Sequence, residues 1–184
     1  RLGLVPRFEQ GLRVTDDKTL QVVVALLAGW INKDLVAHLM ALGATALGLS
    51  GVDGRMLETQ VKDPALGYVG DVVKVNPQPV LLALEAGYIP VVAPLAVAQG
   101  DSTLLNVNGD TAAAELAVAL HAQQLVFLTD VAGVRDGSGE VLPRLSASEA
   151  RRLMAQGIIA GGMLPKVEAG LRAAAAGVPC RILD

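Results

Sequence analysis

Three polar segments, each containing glycine and each just before a predicted helix, are the parts of this sequence best suited to chemistry. They are residues 11–16, residues 106–110 and residues 161–166. Backbone amides at a helix N-terminus carry partial positive charge and favour a bound anion. The three segments therefore suit a ligand that carries phosphate or carboxylate groups.

The charged and polar side chains in these segments also have ordinary structural interpretations. Arg13 taken alone is typical of a solvated surface arginine, and Asn108 or Asp110 could be the N-cap of the next helix. Asp130, at the end of a predicted strand, could cap a turn. Lys166 in the first turn of a helix opposes the helix dipole, and this unfavourable placement favours a functional role.

Residues for covalent or metal-dependent catalysis are scarce. Cys180 is the only cysteine, and the two histidines, His38 and His121, lie far apart on helical patterns. The sequence therefore predicts no disulfide, no thiolate metal cluster and no protein-bound metal. It also contains no P-loop, no G-x-G-x-x-G fingerprint, no nucleophile elbow and no protein-kinase catalytic loop.

The elements that must position these residues alternate between helices and strands. A helix after residues 15–17, the predicted cap, is expected to break at Gly29, and a second is expected to end at Gly43. Asp136-Gly137 is a hairpin signal between apolar flanks, and residues 146–149 match a capping box that opens another helix. Apolar strands are predicted at residues 44–49, 70–76, 88–93, 124–129 and 181–183. Because these strands are continuous apolar runs, we expect an α/β fold with a largely parallel sheet sandwiched by helices.

Composition excludes several classes of protein. The 184 residues are 52% hydrophobic, 18% charged and 3% aromatic, with a net charge of −3, which excludes intrinsic disorder and disfavours nucleic-acid binding. The longest uncharged apolar run, residues 20–31, is too short to span a bilayer, which takes roughly 20 residues. We therefore expect a cytoplasmic protein without a membrane segment. The same run could be a core helix or an interface helix of a homo-oligomer.

The polar segments, in this order, resemble the amino acid kinase family, and within it the branch that phosphorylates N-acetyl-L-glutamate. The resemblance extends over nearly the whole chain. The matching segments are residues 6–16, 29–36, 47–54, 66–70, 89–94, 106–110, 128–134 and 161–167. Each is weakly specific alone, but together and in register they are a strong signal.

The resemblance implies ATP-dependent phosphorylation of the side-chain carboxylate of N-acetyl-L-glutamate by direct in-line transfer, a step of arginine biosynthesis. It implies ATP as phosphoryl donor and Mg²⁺ bound through the nucleotide phosphates. It further implies a substrate-binding lobe at residues 1–105 and a nucleotide-binding lobe at residues 106–184, both incomplete.

The family's motifs also imply roles for individual residues. Arg13 and Asn106 would hold the substrate. Lys166 would neutralise charge on the transferring phosphoryl group, and Asp110 would orient the catalytic lysines. The implied nucleotide-site residues are Asp130, Val131, Gly133, Arg135, Ile158, Ile159, Ala160, Gly161 and Met163.

The sequence departs from the family pattern at its ends. The family begins with a strand that carries a second catalytic lysine and a glycine pair, whereas this sequence opens at Arg1, after that point. Family members also continue beyond the position of Asp184. The expectation is therefore a part of a longer protein.

Two alternative functions stay open at this level. One is a kinase that acts on a carrier-protein-linked aminoadipate in lysine biosynthesis, and the other is a non-catalytic module that binds nucleotide or effector. Glutamate 5-kinase, aspartokinase and uridylate kinase share the fold but match these motifs less well. Some relatives are regulated by arginine or by a nitrogen-signalling protein, and the sequence does not decide whether this one is.

Overall fold

The chain folds into two compact units. The computed structural model describes residues 7–9 and 12–184, so Gly11 of the first polar segment lies outside the described residues. The first unit ends at Ala112, and the second comprises Ala113–Asp184. The functional division predicted between residues 105 and 106 stays a prediction.

A continuous helix of 25 residues, Asp17–Ala41, leads the first unit. It consists of α1 (Asp17–Val23), a π-helical segment (Val24–Ile31) and α2 (Asn32–Ala41). The Asp16 carboxylate caps it by accepting a hydrogen bond from the Thr19 amide at 2.8 Å. The prediction that Gly29 breaks the helix is wrong. An interior glycine costs only about 1 kcal/mol, and the chain passes this one in wider π turns.

The same helix is long and apolar enough to cross a membrane by length and composition alone. An 18-residue window has a mean hydropathy of 1.5, and 11% of that window is buried inside the protein. Asn32, however, is 2% exposed, and its side-chain amide donates to the carbonyls of Leu49 at 3.1 Å and Val91 at 2.8 Å. These bonds attach the helix to a sheet, as in an α/β layer, and the predicted absence of a membrane segment stays a prediction.

The remaining elements of the first unit are mostly strands. Two-residue strands β1 and β2 precede the long helix, and α3 lies between β5 and β6. Their bounds are β1 (Phe8–Glu9), β2 (Leu12–Arg13), β3 (Ala46–Ser50), β4 (Leu57–Val61), β5 (Gly70–Val75), α3 (Gln78–Glu85), β6 (Ile89–Ala93), β7 (Leu95–Ala98) and β8 (Leu104–Asn106). Helix α4 (Gly109–Ala119) follows and continues into the second unit.

Parallel and antiparallel pairs both occur in the first unit. Strands β3 and β6 pair in parallel, with Leu47 opposite Pro90. A four-stranded sheet in the order β5-β4-β7-β8 contains one parallel pair, β4 with β7, and two antiparallel pairs. The predicted α/β class is confirmed, and the antiparallel pairs are an addition that the apolar runs did not predict.

The second unit places helices against a parallel strand pair. Strand β9 (Leu125–Leu128) pairs with β10 (Cys180–Leu183), and α5 (Ala147–Ala155) and α6 (Met163–Ala175) lie between them in sequence. Ser146 caps α5, as predicted, by accepting from the Glu149 amide at 3.2 Å. One apolar cluster contains Ala114, Phe127 and Ala173, and a second contains Leu153, Ile159 and Val167.

Candidate active site

The two predicted substrate-binding residues, Arg13 and Asn106, are joined by hydrogen bonds through Thr15. Arg13 ends β2 and Asn106 ends β8. The Asn106 amide nitrogen donates to the Thr15 hydroxyl at 3.2 Å, and that hydroxyl donates to the Arg13 carbonyl at 3.0 Å. Thr15 is fully buried and Asn106 is 9% exposed. The fold therefore brings together two segments that are about ninety residues apart in sequence.

Backbone hydrogen bonds around Gly67 hold this arrangement in place. The Thr15 amide donates to the Leu66 carbonyl at 2.8 Å, and the Tyr68 amide donates to the Thr15 carbonyl at 2.7 Å. The Asn106 amide in turn donates to the Tyr68 carbonyl at 2.9 Å. Gly67 has φ +71°, and a Cβ there would lie 2.3 Å from the Thr15 carbonyl oxygen. Only glycine fits at this position.

Charged groups near this cluster are held by local contacts. The Arg13 guanidinium lies over the Phe8 ring, 4.6 Å from its centroid, and the arginine stays partly exposed. Such a cation–π contact orients the guanidinium without using its hydrogen-bond donors. The Tyr68 hydroxyl donates to the Asp17 carboxylate, which raises the pKa of Tyr68. A guanidinium held in this way can still present its planar donor set to a ligand.

Residues 106–110 include both the cap of α4 and a predicted catalytic residue. The Asn108 side chain caps α4, because its Oδ1 accepts from the Thr111 amide at 3.0 Å. Of the two residues considered for this cap, Asn108 is therefore the one that takes the role. Asp110 lies in the first turn of the helix and is half-buried. Its predicted role in orienting catalytic lysines stays a prediction.

In the second unit, a cavity of about 220 Å³ collects most of the predicted nucleotide-site residues. Of the nine predicted residues, seven line it: Val131, Gly133, Arg135, Ile158, Ile159, Ala160 and Met163. Asp130 and Gly161 are not among the lining residues. The cavity is smaller than the roughly 300 Å³ or more of a pocket that holds a whole ligand, so it suits the base of a nucleotide rather than all of it.

A turn at residues 135–141 forms one wall of this cavity. Asp136 accepts from the Ser138 hydroxyl at 2.6 Å, the Ser138 amide at 2.8 Å and the Glu140 amide at 3.1 Å. These donors, led by the Ser138 hydroxyl, lower the pKa of Asp136. The Arg135 guanidinium donates to the Gly139 carbonyl at 2.7 Å. The turn agrees with the hairpin signal of Asp136-Gly137, and it fixes Arg135 at the cavity.

Lys166 lies one turn into α6, on the side of the second unit that packs on β9. Its ammonium is 4.8 Å from the centroid of the buried Phe127 ring, and the residue is half-buried. The aromatic face helps to orient the ammonium. The role implied by the resemblance, at the transferring phosphoryl group, stays a prediction.

Side chains that could hold a metal ion do not cluster in the part of the chain that the structure describes. Residues 7–9 and 12–184 contain no group of three or more His, Cys, Asp or Glu side chains suited to a metal. Hard cations such as Mg²⁺ take oxygen ligands and often bind through nucleotide phosphates with few protein ligands.

Thr15 and Asp136 have larger roles in the candidate sites than their sequence context predicts. Thr15 was interpreted as part of a helix cap, but Asp16 takes that role and Thr15 is buried behind Arg13. Asp136 was only a turn signal, yet it also lines the cavity. The available signal was position, since each lies within two residues of a predicted ligand-binding arginine.

Comparison with known proteins extends over the whole chain. The amino acid kinase family model matches residues 1–184. The acetylglutamate kinase of Dehalococcoides mccartyi is 46% identical over all of this chain and 70% of its own length. That of Methanopyrus kandleri is 49% identical over 98% of this chain and 76% of its own length. That of Cereibacter sphaeroides is 47% identical over 97% of this chain and 61% of its own length.

Solved structures also match this chain over nearly its whole length. The protein smu.665 from Streptococcus mutans is 31% identical with a TM-score of 0.92, over 98% of this chain and 74% of that one. An N-acetylglutamate synthase from Neisseria gonorrhoeae, complexed with coenzyme A and N-acetyl-glutamate, is 28% identical with a TM-score of 0.83. The match covers 99% of this chain and 42% of that one.

These comparisons confirm the resemblance and the predicted kinase class of enzyme. A family model that matches every residue, and three kinases at 46% to 49% identity, agree with the fold and with the motifs that the sequence presents. The chain belongs to the amino acid kinase family.

Proposed function

We propose that the protein transfers the γ-phosphoryl group of ATP to the side-chain carboxylate of N-acetyl-L-glutamate, a step of arginine biosynthesis. The observation that carries this proposal is the identity of 46% to 49% with acetylglutamate kinases over at least 97% of the chain. All three relatives are named acetylglutamate kinase, and the acceptor in this proposal is taken from that name. The hydrogen-bonded link between Arg13 and Asn106 in the first unit supports the proposal, and so does the lining of the cavity in the second unit.

A carboxylate acceptor agrees with the residues that the sequence offers. A glutamyl side chain has a pKa of about 4.3 and is already ionised at neutral pH, so no general base has to activate it. A carboxylate oxygen forms the bond to the γ-phosphorus while the bond to the β–γ bridging oxygen breaks and ADP leaves. The chemical difficulty is the approach of two anions, and fixed cations and amides reduce it.

Arg13 and Asn106 would bind the acceptor. A guanidinium presents a planar pair of donors that matches the substrate's α-carboxylate, and a lysine ammonium cannot copy this geometry. The Asn106 side chain can pair with an amide or a carboxylate. Its buried position, fixed by Thr15 and by the backbone bond to Tyr68, favours a defined orientation.

The second unit would bind ATP. Ile158, Ile159 and Met163 give the cavity an apolar wall for the base, and Arg135 gives it a cation. Lys166 would neutralise charge on the transferring phosphoryl group, and Asp110 would orient the lysines. Mg²⁺ bound to the nucleotide would add further neutralisation of the phosphate charge.

The direct test is substrate-dependent ADP release by the full-length protein, with hydroxylamine present to trap an acyl phosphate as a hydroxamate. We expect hydroxamate with N-acetyl-L-glutamate and little with unacylated glutamate or aspartate. A preference for a carrier-linked aminoadipate would replace the proposal with the lysine-pathway kinase. No turnover of either acceptor would overturn phosphoryl transfer to these carboxylates.

A non-catalytic module is the second candidate function. The likeness to the Neisseria gonorrhoeae N-acetylglutamate synthase favours it, because this chain matches only 42% of a protein that is complexed with N-acetyl-glutamate and is not named a kinase. Such a module would bind an acylated amino acid without consuming ATP. Calorimetric binding of N-acetyl-L-glutamate, combined with absent ADP release, would support this candidate against the kinase.

A homo-oligomer is proposed from the surface of the long helix. Leu26, Trp30, Ile31 and Leu35 are all exposed, and Trp30 is 74% exposed. Apolar side chains on one element commonly mark an interface. Light scattering on the full-length protein would test the association, and a monomer at micromolar concentration would contradict it. Control by arginine or by a nitrogen-signalling protein, which the sequence leaves undecided, can be assayed on the same preparation.

A further inference from the structure

We propose that Thr15 is a positioning residue for the acyl amino acid site. Its hydroxyl group, which donates to the Arg13 carbonyl, would fix the orientation of the Asn106 side-chain amide. The inference rests on the proposed function, because that function assigns Arg13 and Asn106 to the substrate. It adds a residue that does not itself contact the substrate.

The donor and acceptor roles in this contact follow from chemistry. The Thr15 oxygen is 3.0 Å from the Arg13 carbonyl oxygen and 3.2 Å from the Asn106 amide nitrogen. A carbonyl can only accept, so the single hydroxyl proton goes to Arg13. Only lone pairs then remain for Asn106, which must present its N–H and not its oxygen. The hydroxyl therefore selects one of the two amide orientations.

Burial turns this selection into a strong preference. Thr15 is fully buried and Asn106 is 9% exposed, so little water is available to satisfy a rotated amide. A half-turn of the amide would place its oxygen against the lone pairs of the hydroxyl and remove a hydrogen bond in a low-dielectric site. The Asn106 oxygen is thereby kept on the side away from Thr15, as a fixed acceptor.

The hydroxyl is not needed to hold the chain segments together. Backbone bonds from Thr15 to Leu66, from Tyr68 to Thr15 and from Asn106 to Tyr68 already connect them. Valine has nearly the shape of threonine and keeps all three bonds. Thr15→Val therefore removes the orienting group while it leaves the segment connections in place.

The test compares Thr15→Val and Thr15→Ser with the wild type in the full-length protein. For Thr15→Val we expect the KM for N-acetyl-L-glutamate to rise about tenfold, the scale of one buried hydrogen bond. The KM for ATP should change less than about twofold, because the hydrogen bonds of the Thr15 hydroxyl go to Arg13 and Asn106. Thr15→Ser keeps the hydroxyl and should stay within about threefold of the wild type on both.

A double-mutant cycle separates orientation from a general packing effect. If Thr15 acts through Asn106, adding Thr15→Val to Asn106→Ala should raise the KM for N-acetyl-L-glutamate by less than about threefold. A further tenfold rise in that background would overturn the inference. Melting temperatures of all variants accompany the kinetics, and a rise in both KM values together with equal losses for valine and serine would show a structural role and overturn it.

Failure of this inference differs from failure of the proposed function. A wild-type protein that forms no hydroxamate from N-acetyl-L-glutamate overturns the proposed function, and the inference falls with it. An active wild type with an unchanged KM in Thr15→Val overturns the inference alone. An active wild type, a selective KM increase in Thr15→Val and rescue by Thr15→Ser support both.

Discussion

The two candidate binding regions are built in different ways. In the first unit, Thr15 and Asn106 are buried and joined by side-chain hydrogen bonds, with Gly67 fitted tightly against them. In the second unit, Ile158 and Arg135 stand at an open cavity whose wall is a turn held mainly by bonds to Asp136. The first region fixes polar groups, and the second presents an apolar surface.

The two ligands of the proposed function need different kinds of binding site. A small acyl amino acid offers few atoms, so its recognition depends on polar groups with a fixed direction. A nucleotide base offers a flat apolar face, and an exposed apolar wall with a glycine turn is sufficient for it. Changes in the first region should therefore alter the KM for the amino acid sharply, whereas changes in the second should alter the KM for ATP gradually or, at Lys166, the rate.

The largest effect is expected from Lys166→Ala. Loss of one cation at the transferring phosphoryl group should lower kcat by about 100-fold or more, with little change in the KM for N-acetyl-L-glutamate. Steady-state kinetics of the full-length protein would measure this. Lys62→Ala, which removes an exposed lysine paired with Asp71, is the matched control and should keep its kcat. Turnover near that of the wild type in Lys166→Ala would remove this lysine from the mechanism.

Arg13→Ala should have the next largest effect, confined to the acceptor. Loss of a charge-assisted pair with the α-carboxylate should raise the KM for N-acetyl-L-glutamate about tenfold or more. Arg13→Lys should recover little, because an ammonium lacks the planar pair of donors. An unaltered KM in Arg13→Ala would exclude this residue as the carboxylate clamp.

Gly67→Ala should damage the first region through backbone geometry. Its Cβ would collide with the Thr15 carbonyl, and its positive φ is strained for alanine, so we expect a lower melting temperature and a raised KM for the amino acid. Gly87→Ala is a matched control with φ +81° and nothing within 4 Å of its Cβ. Equal melting temperatures for the two variants would show that the collision is absent in solution.

Ile158→Ala tests the second unit and should alter only the KM for ATP. It shortens an exposed wall residue without removing a hydrogen bond, so the KM for ATP should rise only about threefold or less while the KM for N-acetyl-L-glutamate stays constant. A change in the KM for the amino acid alone would argue against the division between the two regions.

The smallest effect is expected on the pH dependence of stability that Glu58 provides, and Glu58 belongs to neither binding region. The Lys74 ammonium donates to the Glu58 carboxylate at 2.8 Å and, with Arg55, lowers the pKa of Glu58. Stability from this shift is complete above the ordinary pKa of about 4.3 and is lost as the pH falls through the lower folded value. Lys74→Met should therefore lower the melting temperature at pH 7 and lose that difference in strong acid. A difference that is constant with pH would contradict it.

Several features were predictable from the sequence because they depend on local chemistry. The Ser146 cap, the turn at Asp136 and the apolar strands of an α/β fold are all specified by residue type and short spacing. The proposed set of nucleotide-site residues comes only from the family resemblance, since no single motif in it is specific.

Other features could not be predicted because they depend on tertiary contacts. The continuation of the helix through Gly29 costs only about 1 kcal/mol in propensity, and the long-range hydrogen bonds of Asn32 anchor the helix just beyond it. The link from Thr15 to Asn106 depends on how a segment around Gly67 brings them together. Antiparallel pairing of β4 with β5 is likewise not encoded in an apolar run.

A crystal structure of the full-length protein with N-acetyl-L-glutamate and a non-hydrolysable ATP analogue tests the central claim most directly. We predict the Arg13 guanidinium and the Asn106 amide at about 3 Å from the acyl amino acid, and the Lys166 ammonium at a similar distance from the terminal phosphate. The base should lie against Ile158 and Met163. Ligands bound with these side chains directed elsewhere would contradict the account.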